Sequence, residues 1–283
     1  MAGENYQSAN VTVDSEGRQY HLRVAPGDIA RYVLLPGDPA RTDLISSIWD
    51  ERRLIASHRE FKAYTGRHLG APISVVSTGI GSPSALIAVE ELFRVGADTF
   101  IRVGTMGALS SRVKPGDLVI GVAAVRLEGA SKDYVIPEYP AYANYEVVAA
   151  LIEAAERRGF NYHLGVVAST DTFYLGQGRP GFRGYMTSRA ARIVPDLQAA
   201  GVLGFEMESS AIMTVASLYG GRAGCVCAAI ANRVTNDFVP EAGVREASIV
   251  ASDAVALLHR LDRLKEREGK KWASMSMLGS IRL

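Results

Sequence analysis

The chain has 283 residues, 48% of them hydrophobic, with 31 basic and 30 acidic side chains and a net charge of +1. That length supplies a large core, arranged as one big domain or two small ones, and the balanced charge excludes the basic surface that a nucleic-acid partner requires. No run of about 18 apolar residues exists to cross a membrane, and the polar segment Met1 to Asn10 lacks the apolar stretch of a secretion signal, so a cytoplasmic location is expected.

Taken in chain order, short apolar runs predict buried strands at Val33-Leu34-Leu35, Ile73 to Val76, Phe100 to Val103, Leu118 to Ala124, Val166 to Ala168 and Cys225 to Ala231. Between several of them the period becomes helical. Pro83 opens the clearest helix, with Ser82 as its expected N-cap and Leu86, Val89, Leu92 and Phe93 on one face. A second helix begins at Ser209, carries Ala211, Ile212, Val215 and Leu218 on one face, and stops at Gly220-Gly221. Glu128 to Ala143 is rich in Tyr and Pro without a period and reads as an irregular loop. Cys225 and Cys227 share one face of a strand and read as buried core thiols, since no further metal ligands lie nearby. Lys265 to Leu283 reads as a tail, with docking on a neighbour as the alternative. The alternation of strands and helices, with no repeat or linker, predicts a single α/β domain built on a central mixed sheet flanked by helices.

Four segments carry chemistry. Leu35-Pro36-Gly37-Asp38-Pro39-Ala40-Arg41 and Arg102-Val103-Gly104-Thr105-Met106-Gly107 offer glycine backbone, arginine and threonine, which suit phosphate. Each alone is an ordinary strand-to-helix turn or strand end, the first with Asp38 as N-cap and Pro39 at N1. An arginine inside an apolar strand, however, needs a partner for its charge. Neither segment is a Walker loop or a dinucleotide fingerprint. Phe205-Glu206-Met207-Glu208 offers a carboxylate beside an apolar shelf. It reads either as a ribose contact or as helix N-terminal charge. Ser169 to Arg179 offers Phe173 to stack on a ring, and Gln177 and Arg179 to match the acceptor–donor–acceptor edge of uracil. A polar surface loop is the alternative. Phosphate, sugar and base recognition together read as phosphorolysis of a nucleoside.

These segments, with Ser57-His58-Arg59-Glu60-Phe61, Ser77-Thr78-Gly79-Ile80-Gly81, Asp171-Thr172-Phe173-Tyr174 and Asn232-Arg233, resemble the uridine phosphorylase branch of the nucleoside phosphorylase family. The likeness runs from about His21 to about Leu264. It implies one domain over 1–264, with 1–20 as an N-terminal extension and 265–283 as a C-terminal extension of unassigned role. It implies phosphate contacts from Gly37, Arg41, Arg102 and Thr105, with Arg59 reaching in from a neighbouring subunit. Ribose contacts are implied for Thr105, Met207 and Glu208, with His21 also supplied across an interface. Phe173, Gln177 and Arg179 are implied to hold the base, with Arg233 nearby, and catalysis is expected to rest on Arg102, Thr105, Arg179 and Glu208. No cofactor is expected, inorganic phosphate being the co-substrate. Glu60, Ile80 and Ser84 match a potassium site in some members, and the assembly implied is a hexamer built from dimers that share active sites. Asn232-Arg233 stands where purine enzymes carry an acid, which favours a pyrimidine. Asn236-Asp237-Phe238 departs from the pyrimidine pattern. A purine or broad-specificity phosphorylase, a hydrolytic nucleosidase and a non-catalytic nucleoside-binding protein are the rival readings.

Overall fold

The computed structural model describes residues 9–281. Most of the expected polar N-terminus, Met1 to Asn10, lies outside them. The strands are β1 (Tyr32–Leu35), β2 (Glu51–His58), β3 (Phe61–His68), β4 (Ala71–Val76), β5 (Thr99–Ala108), β6 (Leu118–Arg126), β7 (Ala141–Tyr142), β8 (Tyr162–Ser169), β9 (Gly204–Glu206), β10 (Arg222–Asn232) and β11 (Asp237–Phe238). The helices are α1 (Pro39–Ser46), α2 (Ser82–Arg94), α3 (Tyr145–Arg158), α4 (Ser188–Ala199), α5 (Ser209–Leu218), α6 (Val244–Glu268) and α7 (Met275–Ser280). Each of the six apolar runs forms a strand. Among the described residues, no helix is long and apolar enough to cross a membrane.

One mixed sheet organises the chain, and part of it closes on itself. β5 pairs with β10, β10 with β6, β6 with β8, β8 with β9, and β9 returns to β5. From this ring the sheet continues through β1, β4, β3 and β2. β5 is shared by both halves, which explains its near-complete burial. Two apolar layers cover the sheet. Val89 and Leu92 of α2 and Ile212 and Val215 of α5 pack in one. Ile45 of α1, Leu151 of α3 and Val250, Ala254 and Leu258 of α6 pack in the other.

The β2–β3 hairpin had no apolar run to announce it. Glu51-Arg52-Arg53 opens an exposed edge strand whose charges also blunt that edge. Ser82 is not the cap of α2. Gly81 occupies the N-cap position, Ser82 lies inside the first turn, and its hydroxyl donates 2.8 Å to Met207 O. Asp38 does cap α1, accepting 2.8 Å from Ala40 N.

The loop from Glu128 to Ala143 is irregular apart from one 3₁₀ turn (Ala130–Asp133) and the short β7. Its shape is set by Arg126, whose guanidinium donates to the carbonyls of Ser131, Val135, Ile136, Pro137 and Tyr139 and to the Ser131 hydroxyl. The free tail expected after Leu264 is instead docked on its own chain. α6 runs through that boundary to Glu268, and Lys265 pairs with Glu146 and Asp262. Ala273 N then donates to Glu146, Tyr145 donates its hydroxyl to Ala273 O, and Met277 is buried. The last two residues of that segment lie outside those described.

Candidate active site

The carboxyl ends of β1, β5, β8, β9 and β10 converge on one cavity of about 930 Å³, the usual position for a ligand site in an α/β sheet. Register explains the convergence. Leu35 of β1 and Cys225 of β10 both lie opposite Arg102 of β5, and Ser169 of β8 lies opposite Glu206 of β9. The turn after β1 therefore sits above Arg102, and the Glu206–Glu208 segment sits beside it.

At the first end lie Gly37, Arg41, Arg102 and Thr105, all in the cavity wall. Gly37 packs directly on a second turn. Gly79 N donates 2.9 Å to Gly37 O, and a Cβ on Gly37 would stand 3.1 Å from Gly79 O. Gly79 itself has φ +70°, and a Cβ there would meet Glu60 and Ser84 at 2.9–3.0 Å, so only glycine fits. The two arginines differ. Arg41 Nε is buried without a hydrogen-bond partner. Burial and the nearby Arg102 both lower its pKa. Arg102 contacts Glu208 through Nη2, lies 3.6 Å from Glu206 through Nε and reaches Leu35 O at 3.4 Å. Burial opposes its charge, but Glu208 and Glu206 outweigh burial and raise its pKa. The anion that sequence reasoning required for Arg102 is thus already in the protein.

The two glutamates divide the alternatives between them. Glu206 accepts 2.9 Å bonds from Glu208 N and Ser209 N, and a further one from the Ser169 hydroxyl. It accepts from the N-cap residue and the first residue of α5, where negative charge is favoured, and its oxygens are taken up. Glu208 accepts 2.6 Å from Gly81 N with one oxygen and faces Arg102 with the other. Burial raises its pKa and Arg102 opposes that rise. Met207 lines the cavity between them.

At the opposite end, Phe173, Gln177 and Arg179 also line the cavity. They follow β8 on an irregular segment, and they are bonded to one another. Arg179 lies 3.9 Å from the Phe173 ring centroid and donates to Phe173 O (2.8 Å) and Gln177 Oε1 (2.6 Å). Gln177 Nε2 donates 3.1 Å to Thr170 Oγ1. Burial, and then Arg233, lower the Arg179 pKa to about 10, which leaves it charged at neutral pH. Arg233 stays behind this wall, donating 2.9 Å to Gln177 O.

Arg59 and His21 are not in the wall of this chain's cavity. They lie together elsewhere on the surface. Arg59 reaches the Tyr20 hydroxyl at 3.3 Å, and His58 Nδ1 lies 3.0 Å from His21 O. His21 also holds Glu91 at 2.7 Å and lines a neighbouring cavity with Ile80 and Ser84. Of the three residues matched to a cation site, Glu60 and Ser84 are bonded to each other. Ser84 donates to Glu60 Oε1 (3.1 Å) and to Thr78 O (2.6 Å), beside an exposed Ile80. Among the described residues, no cluster of three or more His, Cys, Asp or Glu suits a metal ion.

Sequence reasoning missed three contributors. Gly81 and Ser82 hold the Glu208 carboxylate and the Met207 carbonyl from the start of α2. Phe238 enters the cavity wall from β11. Its signals were an aromatic after the polar run Thr235-Asn236-Asp237 and the departure of Asn236-Asp237-Phe238 from the pyrimidine pattern.

A buried carboxylate, a guanidinium with an unpartnered Nε and an aromatic beside an amide line one cavity, a set of groups suited to an anion together with a hydroxylated, ring-bearing molecule. The family model described as Phosphorylase superfamily matches residues 31–261, and the chain belongs to that superfamily. It is 59% identical over 268 residues to a protein named uridine phosphorylase from Thermococcus kodakarensis, covering 95% of this chain and 96% of that one. Identity to uridine phosphorylase of Escherichia coli is 41% over 231 residues (81% and 91% covered). Identity to guanosine phosphorylase of Halorubrum lacusprofundi is 38% over 220 residues (78% and 86% covered).

Proposed function

We propose that this protein catalyses the reversible phosphorolysis of uridine to uracil and ribose 1-phosphate. One observation carries the reading: the orphaned Arg41 guanidinium, the Glu208 carboxylate and the Gln177–Arg179 pair line the same cavity. In this mechanism Gly37, Arg41, Arg102 and Thr105 hold phosphate, and Glu208, Met207 and Thr105 hold the ribose. Phosphate attacks C1′ from one face of the sugar while the bond to N1 of uracil lengthens on the other. The sugar becomes oxocarbenium-like and the departing uracil gathers negative charge on O2 and O4. Arg179 meets that charge, with Gln177 beside it, so an electrostatic clamp replaces a general acid. To read the base, the Arg179–Gln177 bond is exchanged for bonds to uracil. Catalysis then comes mainly from positioning and preorganised charge.

Two features support shared sites in an assembly of dimers, completed to a hexamer. Arg59 and His21 are clustered on one surface, and among the described residues Arg41 and Arg102 are the two cations in the cavity wall at the phosphate end. Glu60, Ile80 and Ser84, the first and last already bonded to each other, would supply half of a potassium site at such an interface, since hard cations take oxygen donors. The free, buried Cys225 and Cys227 fit a reducing cytoplasm.

The guanosine phosphorylase relative makes purines the second reading. Against it, the base end of the cavity presents Gln177 and Arg179 rather than an acid. Asp237, the nearest carboxylate in sequence to Arg233, bonds instead to Thr235 Oγ1 at 2.5 Å. A panel of uridine, thymidine, inosine, guanosine and adenosine, each assayed with and without phosphate for free base and ribose 1-phosphate, tests the assignment. Phosphate-dependent cleavage of uridine is expected. A higher kcat/KM for a purine nucleoside, or cleavage without phosphate, overturns it. Mixing inactive Arg59→Ala with inactive Arg102→Ala subunits is expected to restore activity. No restoration after proven subunit exchange rejects shared sites.

A further inference from the structure

We propose that Arg102 is shared between the two substrates: Glu208 holds it until a ribose occupies that carboxylate, so nucleoside and phosphate each tighten the other's binding. This rests on the assignment of ribose to Glu208 and phosphate to Arg102.

Glu208 has two oxygens and two contacts. One oxygen accepts from Gly81 N, and the other meets Arg102 Nη2 in an ion pair that is not an aligned hydrogen bond. Arg102 Nε has no hydrogen-bond partner and Nη1 only a long one, so the guanidinium has donors left for an anion. It lies against the Gly37 turn, Nη1 being 3.6 Å from where a Cβ on Gly37 would stand. Phosphate entering there brings a second anion close to Glu208 in a buried setting, where like charges repel strongly. Ribose hydroxyls donating to Glu208 ease that conflict, because they stabilise and partly screen the carboxylate and so lessen its dependence on Arg102. Glu206 cannot take over, since its oxygens are committed to Ser169, Glu208 N and Ser209 N. Linkage makes the effect reciprocal.

Calorimetric titration with inorganic phosphate alone tests the pair. Glu208→Gln keeps an acceptor for Gly81 N but removes the charge, and is expected to bind phosphate about tenfold more tightly than the parent protein, within the usual range of coupling. Glu241→Gln is the control, because Glu241 is exposed and acts on Arg41 only through space. Its effect is expected to stay below about twofold, given solvent screening. Unchanged or weaker phosphate binding in a folded Glu208→Gln protein, or equal tightening by Glu241→Gln, overturns the proposal.

The parent protein supplies a second test that requires no variant to fold. The apparent KM for phosphate is expected to fall as uridine is raised, whereas uracil alone, which has no hydroxyls for Glu208, leaves the phosphate Kd unchanged. Turnover with a constant phosphate KM, or tightening by uracil, rejects the shared arginine. Absence of uridine turnover would instead count against the activity itself.

Discussion

The phosphate end and the base end of the cavity are built differently. The phosphate end is set by strand termini. Gly37, Arg102 and Thr105 belong to, or directly follow, strands whose register is pinned on both sides. Arg102 is buried there, and Arg41 is half-buried with its Nε unpartnered. The base end lies on an irregular segment, where Arg179, Gln177 and Phe173 satisfy one another. A group that is buried and unpaired gains most when its ligand arrives, whereas a group already bonded must first give something up. In the proposed reaction Arg41 therefore meets phosphate without giving up a bond and Arg102 only by loosening its hold on Glu208, whereas base recognition exchanges the Arg179–Gln177 bond.

The largest test of this contrast is Arg102→Ala. It removes a phosphate contact and leaves Glu206 and Glu208 facing each other without a cation. Turnover is expected to fall by at least about 1,000-fold, and unfolding free energy by about 3–5 kcal/mol, read by phosphate-dependent kinetics and thermal melting. Near-normal phosphate saturation in a folded variant would reject the role.

Arg179→Ala comes next. Because charge on uracil grows only as the bond breaks, kcat should drop about 100-fold with little change in melting temperature. A rise in uridine KM at unchanged kcat would reduce Arg179 to a binding contact.

Arg41→Ala separates the two arginines of the phosphate end. It abandons no partner, so stability should hold or rise, while kcat/KM for phosphate falls about 10- to 100-fold, the worth of one charge-assisted bond. A loss of stability like that of Arg102→Ala would erase the distinction.

The smallest effect on activity is expected far from both ends. Asp262 binds Arg222, Lys265 and the Tyr32 hydroxyl at the start of the strands. Burial raises its pKa, but Arg222 and the other donors outweigh burial and lower it to about 2. The folded value lies below the unfolded one of about 3.9, so its contribution is complete above about pH 4 and is lost as pH falls toward 2. Asp262→Asn should lower the melting temperature at neutral pH and flatten that acid slope, leaving kcat and both KM values unchanged. A shift in either KM would mean that the two ends of the sheet communicate.

The same contrast governs what could be read before folding. The six apolar runs became strands because burial on both faces leaves a continuous apolar signature. The β2–β3 hairpin is half exposed and polar, so Arg52, Arg53 and Lys62 hid it. Closure of the ring through β9 is non-local, and three residues carry no pattern. Gly37, Arg41, Arg102, Thr105, Met207, Glu208, Phe173, Gln177 and Arg179 were all legible as candidates and do meet in one cavity. The division of labour between Glu206 and Glu208 was not legible, because it depends on Ser169, 37 positions away. The docking of the C-terminal segment was equally hidden, since it depends on Glu146 accepting from Ala273 and Lys265.

Arg126 carries a consequence for how this chain can change over time. Apart from the Ser131 hydroxyl, it holds the segment after Glu128 through main-chain oxygens, which every amino acid supplies alike. Val135, Ile136 and Tyr139 can therefore drift without altering the path of the backbone, so long as the single guanidinium persists. Much of the loop's shape is inherited through one codon, with Glu128 and Ser131 as its side-chain partners, and much of its surface is left open to variation.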